Sequence, residues 1–279
     1  MISLILAIVS SALISVMMRA GEKKLQSNMV MFIANYAVCT ILSGTFMGGQ
    51  SLFAVAEGWG LVACMGAVSG VLYLVSFMLL QKNINRNGLS VSAVFMKLGV
   101  IVPTLMAILV FHEQPGLTQL AGILIAVTAV ILITYEKSES GAGHQSLWLI
   151  ILLLCSGVTD AMANIFDKLG NNSLKDHYLL ITFFCALLSS VILFLRDRRK
   201  IAGFDLLMGA CIGVPNYFSS RFLLGALREI PAMIVYPVYS VMTVVLITIA
   251  GVILFKEKIS RRKACAMMMI LAALVFLNI

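Results

Sequence analysis

The sequence predicts an all-α membrane protein of ten transmembrane helices arranged as two inverted five-helix repeats. Three observations carry this. Hydrophobic residues make up 61% of the 279 positions and charged residues 11%, against roughly 45–50% and about 25% in soluble domains. The apolar residues fall into ten stretches near the about 20 residues that a helix needs to cross a bilayer. A set of short motifs recurs at an offset near 144 residues.

The ten spans are 2–19, 28–48, 58–80, 89–111, 117–135, 147–167, 177–195, 203–226, 232–254 and 263–279. Barrel strands would be about 10 residues long and alternate in polarity. These runs do neither, so they are read as helices, which satisfy their own backbone hydrogen bonds in lipid. The first span has no basic residue before it, unlike a cleavable signal. The connections are short and leave no room for a soluble domain.

The net charge of +8 is spread between the apolar runs, which points to an anionic membrane face and away from nucleic acid. Fifteen Lys and Arg follow the odd-numbered spans and three follow the even-numbered ones, with Lys97 and Arg221 inside spans. Basic connections stay in the cytoplasm, so both termini are expected outside. The tail-free chain fits a bacterial inner (plasma) membrane. Six cysteines, all within apolar runs and without a CxxC pair, and three scattered histidines predict neither a disulfide framework nor a metal site. No cofactor is expected, and nothing requires an oligomer.

The repeat is visible in four places. Gly66-x-x-x-Gly70 recurs as Gly209-x-x-x-Gly213, Tyr73 as Tyr217, Lys24-Leu25 as Lys168-Leu169, and Val110-Phe111-His112-Glu113 as Leu254-Phe255-Lys256-Glu257. The boundary falls near 140, giving repeats over 1–140 and 141–279. Because five is odd, the halves enter the membrane in opposite directions. Inverted repeats place a site near the midplane between them. The small-xxx-small pairs are read as close-packing positions.

Charges inside a span cost at least about 2.5–3.5 kcal/mol at the helix centre and persist when paired or facing a wet cavity. Asp160 lies mid-way along the sixth span, in a stripe with Ser156 and Asn164 at four-residue spacing. Such a carboxylate binds a cation, carries a proton, or pairs structurally with Lys97. Lys97, in the fourth span, and Arg221, in the eighth, are candidates for a substrate carboxylate or phosphate; Arg221 could alternatively snorkel to the interface. Tyr236, Tyr239, Ser240 and Thr243 share one face of the ninth span, where aromatic faces hold cations and hydroxyls donate hydrogen bonds. Tyr73, Asn216 and Tyr217 complete the candidates. Pro103, Pro215, Pro231 and Pro237 are positions where a helix could break or bend and free carbonyls beside a cavity.

These residues resemble the drug/metabolite transporter superfamily. Pro103 to Ile133 is similar to the end of an EamA-type repeat, with Pro103, Phe111-x-Glu113, Leu117, Gln119-Leu120 and Gly122. The second half resembles the small multidrug resistance proteins: Asp160 with Lys168 eight residues on, then Ile230-Pro231, Tyr236, Tyr239 and Ser240 in order. The resemblance implies that the carboxylate exchanges protons for substrate and that the aromatics line the site. By family habit it implies export of a small organic metabolite or drug. Three departures stand beside it. Ser15 and Val16 occupy the carboxylate position in the first half. Lys97 has no counterpart in the small drug exporters. Many ten-helix relatives keep both termini inside. A flippase for a lipid or lipid-linked sugar shares the architecture and is the alternative. An enzyme would need clustered His, Asp or Cys at one membrane face, and a channel would need a repeated polar ring; neither pattern is present in the sequence.

Overall fold

The computed structural model describes residues 1–47, 58–99, 101–102, 116–118, 120–122, 124–125, 128, 143–197, 200–230, 232–257 and 261–276. Every regular element among them is helical: α1 (Ile2–Gly21), α2 (Asn28–Phe46), α3 (Trp59–Asn87), α4 (Leu89–Leu98), α5 (Gly143–Leu169), a short turn at Asn172–Leu174, α6 (Lys175–Asp197), α7 (Gly203–Glu229), α8 (Ala232–Phe255) and α9 (Arg261–Phe276). Five segments are long and apolar enough to cross a membrane: Ile2–Gly21, Asn28–Phe46, Trp59–Asn87, Lys175–Arg196 and Val238–Phe255. Leu89–Leu98 and Leu147–Met162 are shorter apolar helices. The fifth span, the outer part of the fourth and Pro103 fall largely outside the described residues.

The helices interleave across the proposed repeat boundary. α7 packs on α1 and α2, α6 on α2 and α3, α5 on α3 and α4, and α8 on α1 and α4. Lipid tails are as apolar as Leu, so such contacts depend on close packing more than on water expulsion. The glycine pairs provide it. A Cβ at Gly209 would meet the Met31 carbonyl and Ala34, and one at Gly213 would meet the Asn35 carbonyl and Val38, all on α2. Gly66 and Gly70 sit in the same way against Tyr178, Ile181, Thr182 and Cys185 of α6. Gly157 on α5 lies against the Gly99 carbonyl at the end of α4. Between these seams Met31, Phe32, Tyr36, Phe77, Phe183 and Tyr217 form the buried core, while Ile5, Leu13, Ile41, Ile192 and Ile253 face outward as lipid-facing residues do.

Two expectations shift. α3 runs on past residue 80 to Asn87 through a polar turn. Its side chains find partners there: Asn83 donates to the Leu79 and Trp148 carbonyls at 2.9 and 3.0 Å, and Gln81 to Asn85 at 2.9 Å. The helix stops at Gly88, whose φ of 85° suits glycine alone among residues without strain, and α4 begins at once. Pro215 and Pro237 do not break their helices; α7 and α8 are continuous through them.

The described residues of the basic connections gather at one end of the bundle. Arg19 donates to the Ile84 carbonyl and lies 3.9 Å from Glu257. The buried Asp205 on α7 accepts from the Gln26 and Ser27 amides at 3.1 and 2.8 Å, closing the start of α2. Glu257, after α8, accepts from the Leu89 amide, the Ser90 amide and the Ser90 hydroxyl at 2.6, 3.1 and 2.7 Å, closing the start of α4. Both carboxylates satisfy helix-start donors and meet the positive end of the helix dipole. At the opposite end, Met1 pairs with Glu229 at 3.1 Å and Arg221 with Asp176 at 3.2 Å. Replacing Glu257 by Gln should destabilise the bundle by about 2–3 kcal/mol, since bonds to a charged acceptor are lost. A lowered thermal unfolding midpoint in detergent checks this; an unchanged midpoint would show that the cap is dispensable.

Candidate functional site

The last turn of α4 is fixed against α5 by Ser156, whose hydroxyl donates to the Met96 carbonyl at 2.8 Å, and by the Gly99–Gly157 approach beside it. This aims Lys97, the next residue, into the middle of the bundle. Its ammonium rests 4.1 Å above the Tyr239 ring of α8, a cation–π contact worth about 0.5–2 kcal/mol. The Tyr239 hydroxyl is 3.2 Å from Ser219 of α7.

Asp160 is one turn beyond Ser156 on α5. Protein surrounds it, and Lys97 lies within electrostatic reach, yet its side chain keeps an exposed surface. Among the described residues its oxygens have no hydrogen-bond or ion-pair partner. Tyr73 of α3 is close by: its hydroxyl lies against Ser220 of α7, and it is within electrostatic reach of Asp160 and Tyr239. Phe77 and Phe183 pack on the Tyr73 ring with centroids 6.4 and 6.0 Å away. Four helices thus bring one acid, one base and two phenols within reach of one another, and α7 adds two serines.

The remaining candidates divide. Ser240 is buried on α8. The side chains of Asn164 and Tyr236 lie outside the described residues. Asn216 is buried and donates to Asn35 of α2 at 3.2 Å, which joins α7 to α2. Arg221 is engaged elsewhere: it donates to Asp176 at 3.2 Å and to the Tyr217 hydroxyl at 3.0 Å, and its guanidinium lies 4.8 Å over Phe46. Tyr217 is buried within that group and stacks on Phe46 at 5.7 Å. Arg221 and Tyr217 therefore form an aromatic–ionic cluster at the end of the bundle opposite the basic connections. Sequence reasoning passed over Ser219 and Ser220, which contact the two tyrosines; their signal was an adjacent hydroxyl pair between the candidates Asn216 and Arg221 on α7.

Comparison with known proteins gives matches in both halves. Residues 1–135 match the EamA-like transporter family, and residues 179–270 match the Small Multidrug Resistance protein family. The chain is a drug/metabolite transporter with EamA-like and small-multidrug-resistance-like parts. It is a multi-pass membrane protein, and these families carry small compounds across membranes. An uncharacterized protein of Haemophilus influenzae is 24% identical to the transporter over 272 residues, covering 93% of this chain and 91% of the relative. A solved crystal structure superposes with a TM-score of 0.62 at 12% identity, over 98% of this chain and 96% of that one, and so shares its fold.

Proposed function

We propose that this transporter moves a small organic molecule by alternating access, with Asp160 binding either a proton or a substrate amine and Lys97 facing a second polar or anionic group. The observation that carries the reading is the open Asp160 carboxylate opposite Lys97 in a space walled by Tyr73 and Tyr239. With both groups ionised the cavity is close to neutral. A simple monocation would leave it with net positive charge in a medium of low dielectric, which is unfavourable. Lys97 also occupies the aromatic face that a substrate cation would use. The site therefore favours molecules carrying an amine together with a polar or acidic group.

The moving parts in this proposal are two inverted halves, 1–140 and 141–279. The packing supports the assignment because it exchanges under the repeat. The seam of α7 on α2 corresponds to that of α3 on α6, with Gly209 and Gly213 in the places of Gly66 and Gly70. The contacts of α1 with α7 and α8 correspond to those of α5 with α3 and α4. With basic connections held inside, the end bearing Arg19, Asp205 and Glu257 is cytoplasmic.

A thermal-shift series on the purified protein tests the site, because ligands of the folded state raise its apparent stability. Zwitterions should stabilise the wild type more than matched simple amines do. Lys97→Met should reverse that order, tightening simple amines about tenfold. Equal responses to the two ligand classes, unaltered in the variant, would remove Lys97 from the site.

A further inference from the structure

A polar recess that does not include Asp160 lies at the basic end of the bundle, where α2 begins and α3 ends. Its volume is about 290 Å³, and its lining includes Asn28, Lys82, Asn85 and Arg86 above with Phe32 and Met78 below. That is close to the about 300 Å³ at the lower end of small-ligand pockets. Lys82 and Arg86 are one helical turn apart and within electrostatic reach of each other. Among the described residues, neither has a carboxylate partner. The Lys82 ammonium instead sits 3.0 Å over the Trp148 ring, and Arg86 lies 5.9 Å from the same ring. Two like charges are thus held side by side with no acidic partner among the described residues.

The surroundings point to the kind of anion. The first turn of α2 brings Asn28 to the recess; Asp205 already caps the Gln26 and Ser27 amides there, so an anion would be drawn by Lys82 and Arg86 and not by the helix start. Gln81 donates to the Asn85 carbonyl oxygen at 2.9 Å, which leaves the Asn85 amide hydrogens to donate to a ligand. The floor, by contrast, is apolar. Trp148 stands at the rim, the position that tryptophan favours at a membrane surface. A cationic, amide-rich rim over an apolar floor matches a phosphate headgroup above an acyl chain, and basic recesses between membrane helices bind such headgroups. A free phosphate would use the rim alone.

We propose that this recess is a binding site for the phosphate of an anionic membrane lipid, held by Lys82 and Arg86 beside the start of α2. The full chain in detergent is titrated with a short-chain phosphatidylglycerol, with phosphatidylcholine of the same chain length, and with inorganic phosphate, following the thermal unfolding midpoint. Phosphatidylglycerol should stabilise saturably at concentrations where the other two do little. The double substitution Lys82→Gln with Arg86→Gln should weaken that response at least tenfold, and Lys82→Arg should keep it. Arg86 is exposed, so Arg86→Gln alone leaves the packing intact; it should weaken the response about three- to tenfold and gives the result even if the double variant folds poorly. Equal stabilisation by phosphatidylcholine, or an unchanged response in Arg86→Gln, would overturn the proposal. Inorganic phosphate acting as well as the lipid would overturn the lipid assignment and make the recess a soluble-anion site.

Discussion

Replacing Asp160 with Asn should lower transport at least about 30-fold and flatten its dependence on pH. A charge pair that a bound substrate amine would form with Asp160 costs about 2–5 kcal/mol to break once the substrate has displaced water from it, and each 1.4 kcal/mol is about tenfold. Asn is isosteric but neither ionises nor accepts a proton. On the proposed reading protons and substrate amines compete for this one carboxylate, so substrate binding should strengthen as pH rises. The variant loses both partners at once. Counterflow of labelled substrate in proteoliposomes at two pH values reads both effects. If Asp160 served only as counter-charge for Lys97, the variant would be less stable but would keep the pH response of transport. That outcome would sink the coupling role.

The second large effect is structural. Gly209→Leu should yield no folded protein. A Cβ there already overlaps the Met31 carbonyl and crowds Ala34, and a helix backbone cannot step aside as a flexible side chain does. Gly209→Ala should be destabilising by about 1–3 kcal/mol, the usual range for overpacking. Gly203→Ala, six residues earlier on the same helix with nothing within 4 Å of its Cβ, is the control and should be close to neutral. Size-exclusion profiles and unfolding midpoints separate the three. A monodisperse, wild-type-like Gly209→Leu protein would show that the α2–α7 seam is looser than described.

The sequence made the helical class and most span limits legible because apolar runs must be long to cross lipid. It also exposed the glycine seams, since each pair repeats at the same spacing in both halves. Asp160 and Lys97 stood out as intramembrane charges, and the structure brings both to one space with Tyr73 and Tyr239. Arg221 looked equivalent to Lys97 by the same criterion. Its pairing with Asp176, 45 residues away, depends on how α6 and α7 pack, which periodicity cannot show. The carboxylate caps were hidden for the same reason. Asp205 serves an amide 178 residues distant and Glu257 one 168 residues distant, so no local capping pattern appears around either helix start. Glu257 was noticed only as the repeat of Glu113. The extension of α3 to Asn87 was missed because its last turn is polar and is anchored by a backbone carbonyl of α5.

The two ends of the bundle are sealed by different chemistry. At the basic end the seal is two carboxylates chelating backbone amides, one of them fully buried. At the other end it is a pair of half-open or exposed ion pairs, Arg221 with Asp176 and Met1 with Glu229. Mobile ions screen exposed pairs strongly and enclosed ones weakly. Ionic strength therefore acts on this protein unevenly, weakening the contacts at one end of the bundle while leaving those at the other largely intact.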